Sequence, residues 1–428
     1  PDAAIESYKE ALKIKPDYLA VYQKMGILLS NKGENLEALE SFLQAIKLAP
    51  NTASSYFNIG NHLKLNLDLN AAIENFRKAI KIDPKLSIGY NNLGNCLVEI
   101  GETQQGIECF QQTINLKPNF AEAHFNKALA HLRIAEFDIG WSAYEWRWTV
   151  WDERSDQLIK KYIWKCQKDQ SVFLFAEQGI GDEIMFASVI PDLYVACSKL
   201  TVRIDKRLIP LFRRSFPDDI EYVPRGELIS EGEYDAHLPM GSLPLHFRQT
   251  IDSYKPSAKG WLSACDTKAS YLRNKLLSDG SEILIGISWH STKPRVGAEK
   301  KVMDLAQLAK RLDEPKVKLV NLQYGDVNKE LDILKKETGI EVFQVPEIDN
   351  MNDIDDLAAL IMACDKVVSI SNVTIHLAGA LGKEAQLLLA SLCGWRWGQS
   401  SNSSYWYNSV RLYRQNKVGD WHDILRQL

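Results

Sequence analysis

Seven cysteines in 428 residues, an odd number with no Cys-x-x-Cys pair, argue against a disulfide framework or a zinc site of ordinary spacing. Free thiols of this kind fit a reducing, cytoplasmic compartment. Long hydrophobic runs are also missing. The most apolar long window, 373–395, contains His376, Lys383, Glu384 and glycines at 379, 382 and 394, so no membrane-spanning helix is expected. A net charge of −4 lacks the positive excess of a general nucleic-acid binder. No phosphate loop ending in Gly-Lys-Ser/Thr, no Gly-x-Ser-x-Gly elbow and no His/Glu spacing for a metal occurs. What remains is an ordinary soluble composition, 45% hydrophobic and 25% charged, long enough for several domains. No secretory leader is visible, and the chain begins inside a pattern, which predicts a piece of a longer protein.

That pattern is a repeat. Pro16, Pro50, Pro84 and Pro118 stand 34 residues apart. Tyr22, Tyr56, Tyr90 and His124 keep the same phase, as do Gly26, Gly60, Gly94 and Ala128. Small residues follow at Ala38, Ala72, Gly106 and Gly140, and aromatics at Tyr8, Phe42, Phe76, Phe110 and Tyr144. This is the tetratricopeptide pattern: two antiparallel helices, small residues where they touch, and proline after the second. It predicts an all-α solenoid over 1–150, whose stacked repeats supply the core and curve into a concave face.

Asn58, Asn92 and Asn126 share the period on the first helix of each repeat, where Lys24 breaks the series. Asn61 and Asn95 add a shorter row. An amide both donates and accepts, so such a row either holds a peptide backbone or bridges neighbouring helices. The row resembles the asparagine ladder of O-GlcNAc transferases, and that resemblance implies a polypeptide ligand.

An aromatic joining segment spans 151–170. Around it stand Trp141, Tyr144, Trp146, Trp148, Trp151, Tyr162 and Trp164, which either dock the last repeat on the next domain or form a sugar-stacking platform. Beyond Ser171, strand-like and helix-like stretches alternate in two series, 171–282 and 283–405, predicting parallel sheets covered by helices. In the first series, strands are expected at 172–176, 200–204, 220–223 and 234–238, with helices at 183–197 and 206–215. In the second, strands are expected at 283–289, 317–323, 341–345, 366–370 and 385–389. A segment over 406–428 is expected to pack back on the N-terminal half.

Gly179-Ile180-Gly181-Asp182 follows the first strand and opens a helix. A dinucleotide fingerprint would need glycine at position 184, which is Ile184. Asp353-Ile354-Asp355 matches a metal-binding Asp-x-Asp, yet acids in a first helical turn explain it as well. Asp182 is either the helix N-cap or a reacting group.

Several runs then occur in order: Gln178–Asp182, Ile287–Lys293, Asn321–Gln323, Val368–Gly382, Trp395–Trp397, Trp406-Tyr407 and Arg411–Gln415. Together they resemble the heptosyltransferase-like, family 9-like glycosyltransferases in the branch fused to tetratricopeptide repeats. The resemblance covers 171–428. It implies a GT-B pair of Rossmann-like domains, acceptor half first and nucleotide-sugar half second, and an inverting reaction with no required metal and no cofactor beyond the nucleotide-sugar co-substrate. It further implies Asp182 as general base, with Gln178 and Gly179 on the acceptor side. On the donor side it implies Lys293, Lys301, Gln323, Ser371, Asn372, Thr374, His376 and Gly379. The lysines are otherwise read as solvated and His376 as a core histidine, while Ala378, Gly379 and Ala380 allow close packing or close approach. The family's Asp-Thr is replaced by Ser371-Asn372, removing a negative charge beside the donor.

The reading that follows is a transferase moving a sugar onto a Ser or Thr hydroxyl of a polypeptide held by the repeats, with no nucleic acid and no membrane span involved. Two alternatives stand beside it. One is a repeat-based binding module with a degenerate transferase half, and the other is a transferase with a glycan or lipid-linked acceptor.

Overall fold

The computed structural model describes residues 1–151, 163–227, 229–230, 232–254, 257–291, 302–391 and 393–428. They fall into two compact units: Pro1–Ile134 with Thr149–Trp151, and Ala135–Trp148 with the described part of Asp152–Leu428.

The first unit is helical: α1 (Asp2–Ile14), α2 (Leu19–Lys32), α3 (Asn35–Leu48), α4 (Ala53–Leu65), α5 (Leu69–Ile82), α6 (Ser87–Glu99), α7 (Thr103–Leu116) and α8 (Ala121–Arg133). Proline stands two residues beyond the ends of α1, α3, α5 and α7, where it cannot continue a helix. Within each pair the glycine of the first helix faces a buried phenylalanine of the second. A Cβ on Gly26, Gly60 or Gly94 would come within 2.5, 2.6 or 2.7 Å of Phe42, Phe76 or Phe110. The repeated small and large residues are therefore one contact made three times, and a side chain at any of these glycines would force the ring away.

The second unit holds two parallel sheets. The first contains β1 (Ser171–Phe175), β2 (Lys199–Ile204), β3 (Glu221–Pro224) and β4 (Ala236–Pro239) in the order β3-β2-β1-β4. The second contains β5 (Ile283–Ser288), β6 (Val317–Asn321), β7 (Val342–Phe343), β8 (Lys366–Ile370), β9 (Ala385–Leu389) and β10 (Val410–Arg414). Its order, β10-β9-β8-β5-β6-β7, is that of a doubly wound sheet. Residues 172–175 of β1 and 367–370 of β8 are all buried, as strands covered on both faces must be.

Several boundaries differ from the expectation. The stretch expected to be the second helix of the last repeat, α9 (Phe137–Tyr144), belongs to the α/β unit. Phe137, Trp141 and Tyr144 lie on one face of α9, and that face is buried among Tyr254, Trp395 and Trp406. Trp141 is 1% exposed, as is Trp164, which packs on His246 and Phe247, so neither ring is a surface platform for a sugar. Tyr162 lies outside the described residues.

The helix expected over 183–197 starts earlier and breaks into Ile180–Phe186, a tight turn and Ile190–Tyr194, with Pro191 at the second start. Helix Asp266–Leu276, placed by the sequence with the first series, packs on helix Ile354–Ala363 of the second sheet. Arg273 ties it there, on Asp365 and the Ala363 carbonyl. The segment over 406–428 divides. Trp406 packs on Phe186 and Tyr254 of the first half, but β10 pairs with β9, and Tyr413, Trp421 and Ile424 join the core of the second sheet.

Candidate functional site

Ligands of doubly wound sheets bind beyond the carboxyl ends of the strands, where the strand order reverses. In the first sheet that point lies between β1 and β4, and it is occupied by a buried charged cluster. Glu177, directly after β1, accepts from the Gly241 amide at 3.1 Å and pairs with Arg147 at 3.2 Å. Arg147, fully buried, also donates to Glu145 at 2.6 Å and to Ser242 at 2.7 Å, and its guanidinium lies over Trp148. Burial raises the Glu177 carboxyl above its ordinary range, against the opposing charge of Arg147. Gly241 is required here, since a Cβ would stand 2.3 Å from Glu177 Oε1. Next along the chain, the Gln178 side chain is bonded to the Tyr144 hydroxyl at 3.0–3.1 Å.

Gly179, not Asp182, is the N-cap residue of helix Ile180–Phe186, which corrects the capping alternative. Asp182 sits in the first turn, its own amide bonded to the Gly179 carbonyl at 2.8 Å. Its Oδ1 accepts from Arg396 Nε at 2.6 Å and Nη2 at 2.5 Å. Arg396 stands in the turn Trp395–Trp397 with its guanidinium over Trp395. The Trp-Arg-Trp run belongs to the family resemblance, which implies no role for its arginine. The signal that was available is a single cation between two tryptophans in a turn bounded by Gly394 and Gly398.

In the second sheet the order reverses between β5 and β8. Gln323 Oε1 accepts from Ser288 Oγ at 2.9 Å and from the Trp289 and His290 amides at 3.0 Å. Asn372 caps helix Val373–Ala380 by accepting from the Thr374 amide at 3.1 Å, and its Nδ2 donates to Ser288 Oγ at 2.7 Å. Thr374 Oγ1 donates to the Leu322 carbonyl at 3.2 Å. These three side chains hold the strand ends β5, β6 and β8 together, so in this structure their polar atoms are engaged by the protein itself. Ser371 is exposed and accepts from Trp397 Nε1 at 2.8 Å.

His376 is buried, bonded through Nδ1 to the Tyr407 hydroxyl at 2.6 Å and stacked on Trp397 at 4.9 Å. Burial, with the Arg396 charge adding, pushes it down to about 3, so it is a neutral imidazole. A Cβ on Gly181 would meet its Cδ2 at 3.1 Å, so the two strand-end turns touch. Gly379 serves packing, because a Cβ there would come within 2.5 Å of the Tyr407 ring. Lys293 and Lys301 lie outside the described residues.

On the repeats, Asn58, Asn92 and Asn126 are half-buried on α4, α6 and α8. Asn92 Nδ2 donates to Asn61 at 2.7 Å and Asn126 Nδ2 to Asn91 at 3.2 Å, while Gln23 reaches Ser54 and Ser55 at 3.0 Å. The row thus bridges consecutive first helices.

Beside Asp182, Glu183 is 1% exposed, accepts from the Asp205 amide at 2.8 Å and stands 3.3 Å from Arg225. Burial, opposed by Arg225, pushes its carboxyl up to about 7 from an ordinary 4.5. A group that binds its proton more tightly when folded favours the fold at low pH and loses that contribution as pH rises through its folded value. Glu183→Gln is therefore expected to flatten the fall in melting temperature between pH 4.5 and about 7. The difference in unfolding free energy is on the order of 3 kcal/mol, and parallel pH profiles of the two proteins would refute it.

Models of the tetratricopeptide repeat match residues 19–52, 53–86 and 75–108, so the N-terminal third is an array of these repeats. The chain is similar to Protein FlbA of Caulobacter vibrioides, 29% identical over 325 residues, which is 71% of this chain and 54% of that protein. It therefore spans about half the length of the curated relative it matches. Among solved structures it is similar to MamA, with 26% identity over 36% of this chain and 91% of that one, at a TM-score of 0.32. YrrB, described as a tetratricopeptide-repeat protein with an unusual peptide-binding site, is 21% identical over 34% of this chain and 75% of that one, at a TM-score of 0.31.

Proposed function

We propose that this chain transfers a sugar, with inversion, from a nucleotide-sugar to a Ser or Thr hydroxyl of a polypeptide held by the repeats. The observation that carries this reading is the meeting of two strand-end turns. Gly179–Asp182 comes from one doubly wound half and Ser371–His376 from the other, with the Asp182–Arg396 pair beside their contact. A carboxylate and a guanidinium at such a point match the two needs of the reaction.

Arg396 holds Oδ1 of Asp182 and leaves Oδ2 to take the acceptor's proton. As that proton moves, the acceptor oxygen bonds to C1 of the sugar and the C1–O bond to phosphate breaks. The nucleoside diphosphate leaves, and the guanidinium charge beside it offsets the negative charge that develops. The nucleotide lies across the carboxyl ends of β5 and β8, and Lys293 and Lys301 follow β5 in sequence. The amide row of α4, α6 and α8 offers its remaining donors and acceptors to a peptide backbone.

A second reading, a binding module with a degenerate transferase half, is favoured by the internal engagement of Gln323, Asn372 and His376. One experiment separates the two. The chain is incubated with a panel of nucleotide-sugars and a Ser/Thr-rich polypeptide, reading nucleotide release and polypeptide mass. Release with a matching mass gain is expected. No release, together with calorimetry showing no nucleotide binding at millimolar concentration, would replace transfer by the binding-module reading.

A further inference from the structure

A cavity of about 560 Å³ lies in the second unit beyond the far end of helix Ile180–Phe186. Ser188 and Pro191 line it, and neither Asp182, Arg396 nor the strand ends of the second sheet do. Ser188 is six residues past Asp182, roughly 9 Å along a helical path. The volume falls in the range of small-molecule sites, about 300–1,000 Å³.

Its walls differ in chemistry. One is aromatic. Trp261, half-buried, has one ring face covered by Tyr407 at 5.2 Å and a 17° tilt, leaving the second face to the cavity it lines. The indole is fixed further by donating to the Ile184 carbonyl at 3.2 Å. Tyr405 and Trp406 continue this wall, Trp406 held edge-on against Tyr254 at 4.9 Å. The rings are positioned by packing before any ligand arrives.

The other wall is polar and carries two cations, Arg248 and Lys259, and one carboxylate, Asp192. Arg248 donates to Asp192 at 2.7 Å and to the Phe247 and Ser188 carbonyls at 2.8 and 3.3 Å. Its side chain is 9% exposed and that of Asp192 is 44%, so the guanidinium is the buried support and the carboxylate is the group presented. A wholly apolar ligand would strand these charges.

A ligand that suits both walls has a flat face of C–H groups for the rings and an edge of hydroxyls that donate to the Asp192 carboxylate and accept from the Lys259 ammonium. A pyranose has both, and a carboxylate can accept from two neighbouring hydroxyls. We propose that this cavity binds a short glycan, its ring face on Trp261 and Tyr405 and its hydroxyl edge on Asp192 and Lys259. The site stands independently of the transfer reading, since binding here needs neither donor nor turnover.

The test is saturation-transfer NMR on the whole chain with maltose, cellobiose and diacetylchitobiose as probes. At least one is expected to receive saturation on its ring protons, and added nucleotide should not displace it. Asp192→Asn removes the acceptor's charge, and Ser263→Trp, at an exposed lining residue that is not a member of the Asp192–Arg248 pair, plugs the cavity. Each is expected to weaken binding about tenfold or more. Loss in both folded variants identifies the cavity. Absence of transfer to all three sugars, persistence in either variant, or displacement by nucleotide would overturn the assignment.

Discussion

Asp182→Asn is expected to lower the rate of sugar transfer by roughly 10²–10⁴-fold, the usual contribution of a positioned general base. Asparagine has nearly the shape of aspartate, so its amide oxygen can still accept from Arg396 where Oδ1 does now. What it cannot do is take a proton from the acceptor. Donor affinity should therefore change little while kcat falls, because the lost interaction belongs to the transition state alone. Arg396→Gln is expected to behave differently. It removes the charge beside the departing diphosphate, so donor affinity and kcat fall together, with a second loss because Asp182 is no longer held. Turnover of Asp182→Asn at the wild-type rate, measured by nucleotide release, would remove Asp182 from the reaction.

The two variants also show why half of this pair was hidden in the sequence. Asp182 announces itself locally, as an acid in a Gly-x-Gly turn after a buried strand. Arg396 lies 214 residues away, and no periodicity connects the two. The same division holds for the fold. The glycine–phenylalanine contacts of the repeats are legible because each is made within one repeat and recurs, three times in all. Most strands of the second unit are legible because continuous burial writes continuous apolar runs, as at 172–175 and 367–370. The period that identifies the repeats continues through α9, yet the partners of Trp141 and Tyr144 are aromatics from 254, 395 and 406. Periodicity names the face of a helix that is buried; it does not name what covers it. The amides of Gln323 and Asn372 look like ligand groups in the sequence, because an amide at a strand end reads the same whether it faces a nucleotide or the neighbouring strand. Only the register of β5, β6 and β8 shows that here they bind Ser288 and the turn after it.

Arg147→Ala is expected to cost about 3–5 kcal/mol of stability at neutral pH, the usual penalty for removing one partner of a buried ion pair. The guanidinium is wholly buried and answers Glu177, Glu145 and Ser242 at once. Without it Glu177 is left with the hydrogen bonds from the Gly241 amide and the Gln178 side chain. The pH dependence gives the cause away. Glu177 is already raised above its ordinary 4.5 by burial, and Arg147 is the charge that limits the rise. Removing that charge raises it further. Because the folded chain then holds the proton more tightly than the unfolded chain does, the deficit is small at low pH, where both states are protonated. It grows as pH climbs from 4.5 through the raised folded value. Urea denaturation at about pH 5 and about pH 8 should therefore show a larger loss at the higher pH. Adding Glu177→Gln to Arg147→Ala should recover part of that loss, since a neutral amide keeps the bond to Gly241 without a buried charge. If the double variant is no more stable than the single one at the higher pH, lost packing of the guanidinium over Tyr144 and Trp148, not the stranded carboxylate, is what destabilises the fold.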